Sequence, residues 1–304
     1  MAATAGSSLK PSREFALARL LNREAPLGYA LLLPALAILV VFVAYPFAFG
    51  LWLALTDSTI GRLGHFIGLA NFAYILRDPI FTQALGNTMA YTFVTVFFKL
   101  TLGLALAAVL HIEFRFNRFT RAAMLLPWII PTVLSTLAWL WMFDSTFSVF
   151  NRMLAWIHVT GPSWLGQFPW PMISLMTVNV WRGTPFFGVS LLAAMQMVPA
   201  DLYEAAVVDG AGPWRRWLHV TVPTIRPVIL ITTLLSIIMT FADFQVIWIL
   251  TKGGPVNQTQ VLSTYAYVVG IQGTDIGIGA AISLFMFPVL CVSIGIILWL
   301  LHRD

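Results

Sequence analysis

Charge is scarce in this chain. Only 10% of its 304 residues are Asp, Glu, Lys or Arg, while 59% are hydrophobic and the mean hydropathy is +0.86. Soluble domains carry about 25% charged residues, so a water-soluble globule is excluded and one integral membrane domain fits the length. Cysteine is nearly absent. Cys291 stands alone in a hydrophobic run, which excludes an intramolecular disulfide and leaves no metal-ligand spacing. No Gly-x-x-x-x-Gly-Lys-Ser/Thr phosphate loop occurs. His65, His111, His158, His219 and His302 all fall in loops or at ends, so no paired catalytic set sits in an apolar run and an intramembrane enzyme is disfavoured. Neither a 20–50-residue repeat nor a low-complexity stretch is evident. The net charge of +5 lies beside apolar runs, where it reads as an orientation signal rather than a nucleic-acid surface.

Long apolar runs are what remains. A bilayer core of roughly 30 Å needs about 20 apolar residues in a helix, and six stretches qualify, near 27–54, 87–110, 122–143, 171–198, 227–250 and 277–301. Unmet backbone groups cannot be left in lipid, so each is predicted to be a helix. The first run is too long and lacks the small-residue end of a cleavable signal peptide. The fold class expected is an all-α membrane protein of six spans. Residues 1–24 read as a cytoplasmic N-terminal segment, and 25–304 as the membrane domain. Lys10, Arg13, Arg19, Arg23, Arg115, Arg118, Arg121, Arg215, Arg216, Arg226 and Arg303 fall on one side. Only Arg62, Arg77, Arg152 and Lys252 fall on the other, which places both termini in the cytoplasm. Asn87 is expected to cap the second span. Trp156, Trp164 and Trp170 suit an interfacial belt on the outer side.

The inside loop 199–226 carries more pattern than a tether requires. Pro199 and Asp201 are helix-start signals for Leu202–Val208, Gly210 and Gly212-Pro213 stop that helix, and a second helical stretch begins at Arg215. Glu204 is free for a charge-assisted bond to a partner, and Ala205 and Ala206 give a smooth face for a groove. Glu204-Ala205-Ala206 followed by Asp209-Gly210, with Pro223 closing the loop, resembles the coupling loop of carbohydrate-uptake ABC importer permeases. Tyr45-Pro46, the Phe66-Ile67-Gly68-Leu69-Ala70-Asn71-Phe72 stretch, Leu125-Leu126-Pro127, Val180-Trp181 and Gly253-Gly254-Pro255 extend the resemblance over most of Leu27–Leu301.

That resemblance implies a fold of the MetI-like permease type in a bacterial or archaeal cytoplasmic (inner) membrane. It implies that two different permeases pair across a pathway, that an ATPase dimer docks on the coupling loops, and that an extracytoplasmic solute-binding protein delivers a sugar. The chain would be a transporter subunit, with ATP and magnesium bound by the partner ATPase and no cofactor of its own. Glu204, Ala205, Ala206, Asp209 and Gly210 match the coupling residues. By the same resemblance Asn179, Arg182, Phe186, Ser236, Met239, Thr240 and Asp243 are candidates for the substrate pathway. Hydroxyl-bearing substrates suit such polar and aromatic side chains. Ionisable groups inside spans (Lys99, Arg182, Asp243) are functional candidates by default, and Arg182 with Asp243 could instead form a structural pair. The competing reading is an ion-coupled secondary transporter, which calls for inverted repeats that are not evident.

Overall fold

The computed structural model describes residues 24–112 and 115–302. The expectations for residues 1–23 and for Arg303 lie outside the described residues. The chain divides into two units, one ending at Trp52 and one beginning at Leu53.

In the first unit, α1 (Glu24–Leu39) passes through a π turn at Val40–Ala44 into α2 (Tyr45–Ala54). The wide turn lies just before Pro46, whose ring would clash with the carbonyl four residues back in a regular helix. Tyr45 and Phe49, one turn apart, stack with ring centres 6.2 Å apart.

The second unit is helical throughout, with only two isolated β-bridges among the described residues. A short helix α3 (Ala70–Ile75) is pinned by Asn71, whose amide donates to the carbonyls of Ala54 at 2.9 Å and Thr56 at 2.8 Å. The long helix α4 (Pro79–His111) follows. It starts eight residues before Asn87, which corrects the expected cap. Asp78 is the cap and accepts from the Ile80 amide at 2.8 Å, with Pro79 filling the first helical position. Asn87 instead lies within α4 and donates to the carbonyls of Gln258 and Gln260, tying down the loop that follows Gly253-Gly254-Pro255.

The third apolar run is two helices, α5 (Asn117–Ile129) and α6 (Thr132–Phe143), bent by 90°. Pro131 forces Ile130 into extended backbone and ends α5. After the short α7 (Val149–Trp156), α8 (Trp170–Gln196) crosses back, and α9 (Ala200–Val208) stands apart from it at 72°. A one-turn helix α10 (Pro213–Arg216), a π turn (Trp217–Thr221) and α11 (Val222–Phe241) form one rod of 29 residues. The expected fifth span of 227–250 is thus shifted. The rod starts earlier and stops at Phe241, because the Asp243 side chain turns the backbone by accepting from the Val246 amide at 3.4 Å. The chain ends with α12 (Gln245–Leu250), α13 (Leu262–Tyr267), α14 (Ile276–Leu284) and α15 (Met286–Leu301). Among the described residues four helices are long and apolar enough to cross a bilayer, and the number reaches six if each of the two bent pairs counts as one span.

Helices α4 and α8 pack in parallel and without spacers. A Cβ on Gly103 would overlap the Cβ of Phe187, and one on Gly188 would meet Leu106 at 2.6 Å. Small residues that let backbones approach are how membrane helices gain contact when lipid is as apolar as leucine. Ala107, Leu110, Phe187, Leu191 and Ile225 continue this contact into a buried apolar cluster.

Candidate functional site

Two regions carry chemistry. The first is α9 and its surroundings. Pro199 and Asp201 open the helix. At its end Gly210 adopts φ +77°, its amide donates to the Val207 carbonyl at 3.0 Å, and the Ala211 amide donates to the Ala206 carbonyl at 2.8 Å. These two crossed bonds are a Schellman ending, which requires the left-handed conformation that glycine takes without strain. Glu204, Ala205, Asp209 and Gly210 are exposed and Ala206 is half-buried. Glu204 makes no hydrogen bond or ion pair among the described residues. The surrounding face is apolar: Val208 is 87% exposed and Trp214 71% exposed. Exposed bulky side chains on a turn between two spans mark a contact surface for another protein. On the opposite side Tyr203 shares a 2.9 Å hydrogen bond with the Thr221 hydroxyl, which fixes α9 against the π turn of the rod.

The dependence on Gly210 is testable. Gly210→Ala places a Cβ in the left-handed region at a cost of about 1 kcal/mol. Amide exchange at Ala211 should rise about fivefold, read by hydrogen–deuterium exchange. Gly212→Ala, at φ −66° with open space around its Cα, should leave exchange unchanged.

The second region is polar and lies between α4, α8 and the end of α11. Asn179, Ser236 and Thr240 are buried there, and Asp243 is half-buried just beyond the last turn of α11. The Lys99 ammonium, only 4% exposed, donates to Asn179 Oδ1 at 2.9 Å and Thr240 Oγ1 at 2.7 Å. Asn179 Nδ2 donates to Asp243 Oδ2 at 2.9 Å, and the Tyr91 hydroxyl donates to the same oxygen at 2.8 Å. Asn179, Thr240 and Asp243 are therefore one cluster. Ser236 lies one turn before Thr240.

The other sequence candidates are elsewhere. Arg182 donates to the Thr132 hydroxyl of α6, close enough for its charge to be felt at Lys99, and among the described residues it makes no ion pair with Asp243. The structural pair considered from sequence is therefore not formed. Phe186 stacks on Trp128 with ring centres 5.9 Å apart and belongs to the apolar packing. Met239 is 69% exposed and continues a stripe with Ile231 and Leu235 on the outer face of α11. Sequence reasoning named Lys99 as a functional candidate without placing it in the substrate pathway, and left Tyr91 out. The signal for Lys99 was present, a lone cation in a span, but its partners lie 80 and 141 residues away. Tyr91 gave no signal.

Residues 99–303 match the family model described as binding-protein-dependent transport system inner membrane component. The trehalose/maltose transport system permease protein MalF of Thermococcus litoralis is 35% identical over 280 residues, 92% of this chain and 94% of that one. The trehalose transport system permease protein SugA of Mycobacterium tuberculosis is 34% identical, covering 89% of this chain and 86% of that one. A chain of a bacterial ABC transporter that imports alginate superposes with a TM-score of 0.79 at 25% identity, covering 94% of this chain and 97% of that one. The same transporter type in complex with an alginate pentasaccharide-bound periplasmic protein gives a TM-score of 0.80 at 26% identity, over 91% and 94% of the two chains.

Proposed function

The chain belongs to the family of binding-protein-dependent transport system inner membrane components, and from that premise we infer that it is the permease subunit of an ATP-driven carbohydrate importer. It spans the membrane as half of a pathway whose other half is a second permease. It is not an enzyme. ATP is hydrolysed by a separate ATPase subunit, where ATP and magnesium are expected to bind, and a binding protein outside supplies the substrate. The secondary-transporter reading is set aside by family membership.

The observation that carries the reading is α9. It lies between two membrane helices, with Glu204 unpaired among the described residues, an apolar rim, and Tyr203 bonded to the rod beneath. Such a helix is shaped to seat in a groove of a partner. A partner that moves it moves Thr221 and α11 with it, and so the floor of the polar cluster at Thr240. The direction of the chain, with both termini and α9 in the cytoplasm, follows from its Lys and Arg distribution. Residues 25–304 are read as one membrane domain.

Asn179, Ser236, Thr240 and Asp243 are the groups suited to sugar hydroxyls, since they offer donors and acceptors in a dry site. Arg182, Phe186 and Met239, which the family resemblance also assigns to the pathway, lie outside this cluster, and Met239 is exposed on α11. The relatives named for trehalose, maltose and alginate support a carbohydrate substrate, whether a di- or oligosaccharide, a polyol or a sugar phosphate.

The test is reconstitution. Proteoliposomes holding this chain, its partner permease and the ATPase pair should take up labelled trehalose, maltose or an oligosaccharide only with ATP on the ATPase side and binding protein on the other. Uptake driven by an ion gradient without the ATPase would return the reading to a secondary transporter.

A further inference from the structure

We propose that Lys99 is a positioning residue: with Asp243 it forms a bridge of opposite charges through the Asn179 amide, and this bridge sets which atoms of the cluster remain to donate and which to accept. An ammonium only donates and a carboxylate only accepts. Asn179 sits between the two, with Oδ1 at 2.9 Å from Lys99 Nζ and Nδ2 at 2.9 Å from Asp243 Oδ2. The reversed amide would set N–H against ammonium and oxygen against carboxylate, so only one orientation is permitted. The same logic reaches Thr240. Its oxygen accepts from Lys99 at 2.7 Å, so its own hydrogen points elsewhere and is a donor.

A nearby carboxylate helps a lysine to be tolerated in a span. A lone buried charge is costly, and removing one member of a buried pair leaves the other uncompensated. Asn179 lets the two charges compensate each other while keeping them apart, one on α4 and the other beyond α11. Tyr91 Oη adds a third anchor, donating to Asp243 at 2.8 Å. The cluster is also shaped for the lysine stem. A Cβ at position 183 would overlap Lys99 Cδ, so Gly183 leaves the room that the stem occupies. Arg182, the next cation along α8, donates to the neutral Thr132 hydroxyl and adds a second positive charge near Asp243.

For a sugar, which rests on the pathway reading above, the consequence is a fixed pattern. The remaining donor is the hydroxyl hydrogen of Thr240, since the Asn179 amide is also engaged by the Tyr91 oxygen. The free acceptor is Asp243 Oδ1, which otherwise receives only the long 3.4 Å bond from Val246.

The experiment exchanges the two middle members. Asn179→Asp alone sets two carboxylates together and should lower the thermal midpoint of the purified complex by roughly 5 °C or more. Asn179→Asp with Asp243→Asn keeps one negative charge beside Lys99 and one amide to link it, and should recover most of that loss. Lys99→Met should be damaging in the native background and milder when Asp243→Asn is added. An exchanged variant no more stable than Asn179→Asp, together with Lys99→Met unaffected by Asp243→Asn, would overturn the bridge, because packing alone predicts both. Uptake at limiting trehalose separates the two ideas. A recovered midpoint with altered uptake supports bridge and pathway together. A recovered midpoint with unchanged uptake leaves the bridge standing and removes Asn179 and Asp243 from the sugar path.

Discussion

Replacing Gly103 with leucine is expected to abolish accumulation of the folded permease in the membrane. Gly103 is buried where α4 meets α8, and even a single Cβ there would coincide with the Cβ of Phe187. Neither atom can rotate away, since both are attached directly to backbone. The backbone of Gly188 lies close behind at 3.3 Å. Overpacking a tight core by a few methylenes costs about 1–3 kcal/mol when side chains can yield. Here the helices themselves must separate, and with them Lys99 from Asn179 one turn away. The level of chain in purified membranes and its recovery with the partner permease would both fall severely. Gly86→Leu is the matched control. It lies in the same helix with nothing within 4 Å of its Cβ, so leucine there should be tolerated. Normal accumulation of Gly103→Leu would mean that α4 and α8 are not packed as described.

Glu204→Lys should remove the ATPase while sparing the permease. Glu204 is exposed and makes no bond among the described residues, so its replacement costs the fold nothing. Its value lies in the docked state. Losing a charged partner at a buried interface costs about 2–5 kcal/mol, and reversal adds repulsion. Binding weaker by roughly thirtyfold, or about 2 kcal/mol, is the minimum expected. Pull-down of the ATPase would lose it, with the permease unchanged in the membrane. Retained ATPase would move the docking surface off α9, and the apolar rim of Val208 and Trp214 would need another explanation.

Much of this architecture could be read from residue order because local physics decides it. Apolar length gave the spans. Gly210 gave the end of α9, since left-handed backbone acts over a few residues, whereas Pro213, read as part of that stop with the next helix beginning at Arg215, is itself the first residue of the rod. The errors have the opposite character. Asn87 was expected to cap because it precedes the most apolar stretch, but Asp78-Pro79 begins the helix earlier through less apolar sequence. The fifth span was drawn past Phe241 because Phe241–Leu250 is apolar apart from Asp243 and Gln245, yet one aspartate reaching the Val246 amide breaks it. The polar cluster was half legible. Asn179, Thr240 and Asp243 were picked out together, but Lys99 joins them only through contacts between helices distant in sequence. Arg182 and Phe186, on the same helical stretch as Asn179, were drawn to Thr132 and Trp128 instead.

The bond between Tyr203 and Thr221 has a mechanical meaning. The rod that begins at Pro213 is 29 residues long, roughly 44 Å at helical rise, and its far end carries Thr240. A shove against α9 therefore arrives at the Lys99 ammonium as displacement of a stiff strut, with no relay of side-chain flips in between. The strut can flex at two points, the widened turn at Trp217–Thr221 and the proline at 227. Both lie near the end where the shove is received, so the helix beyond Pro227 moves as one piece.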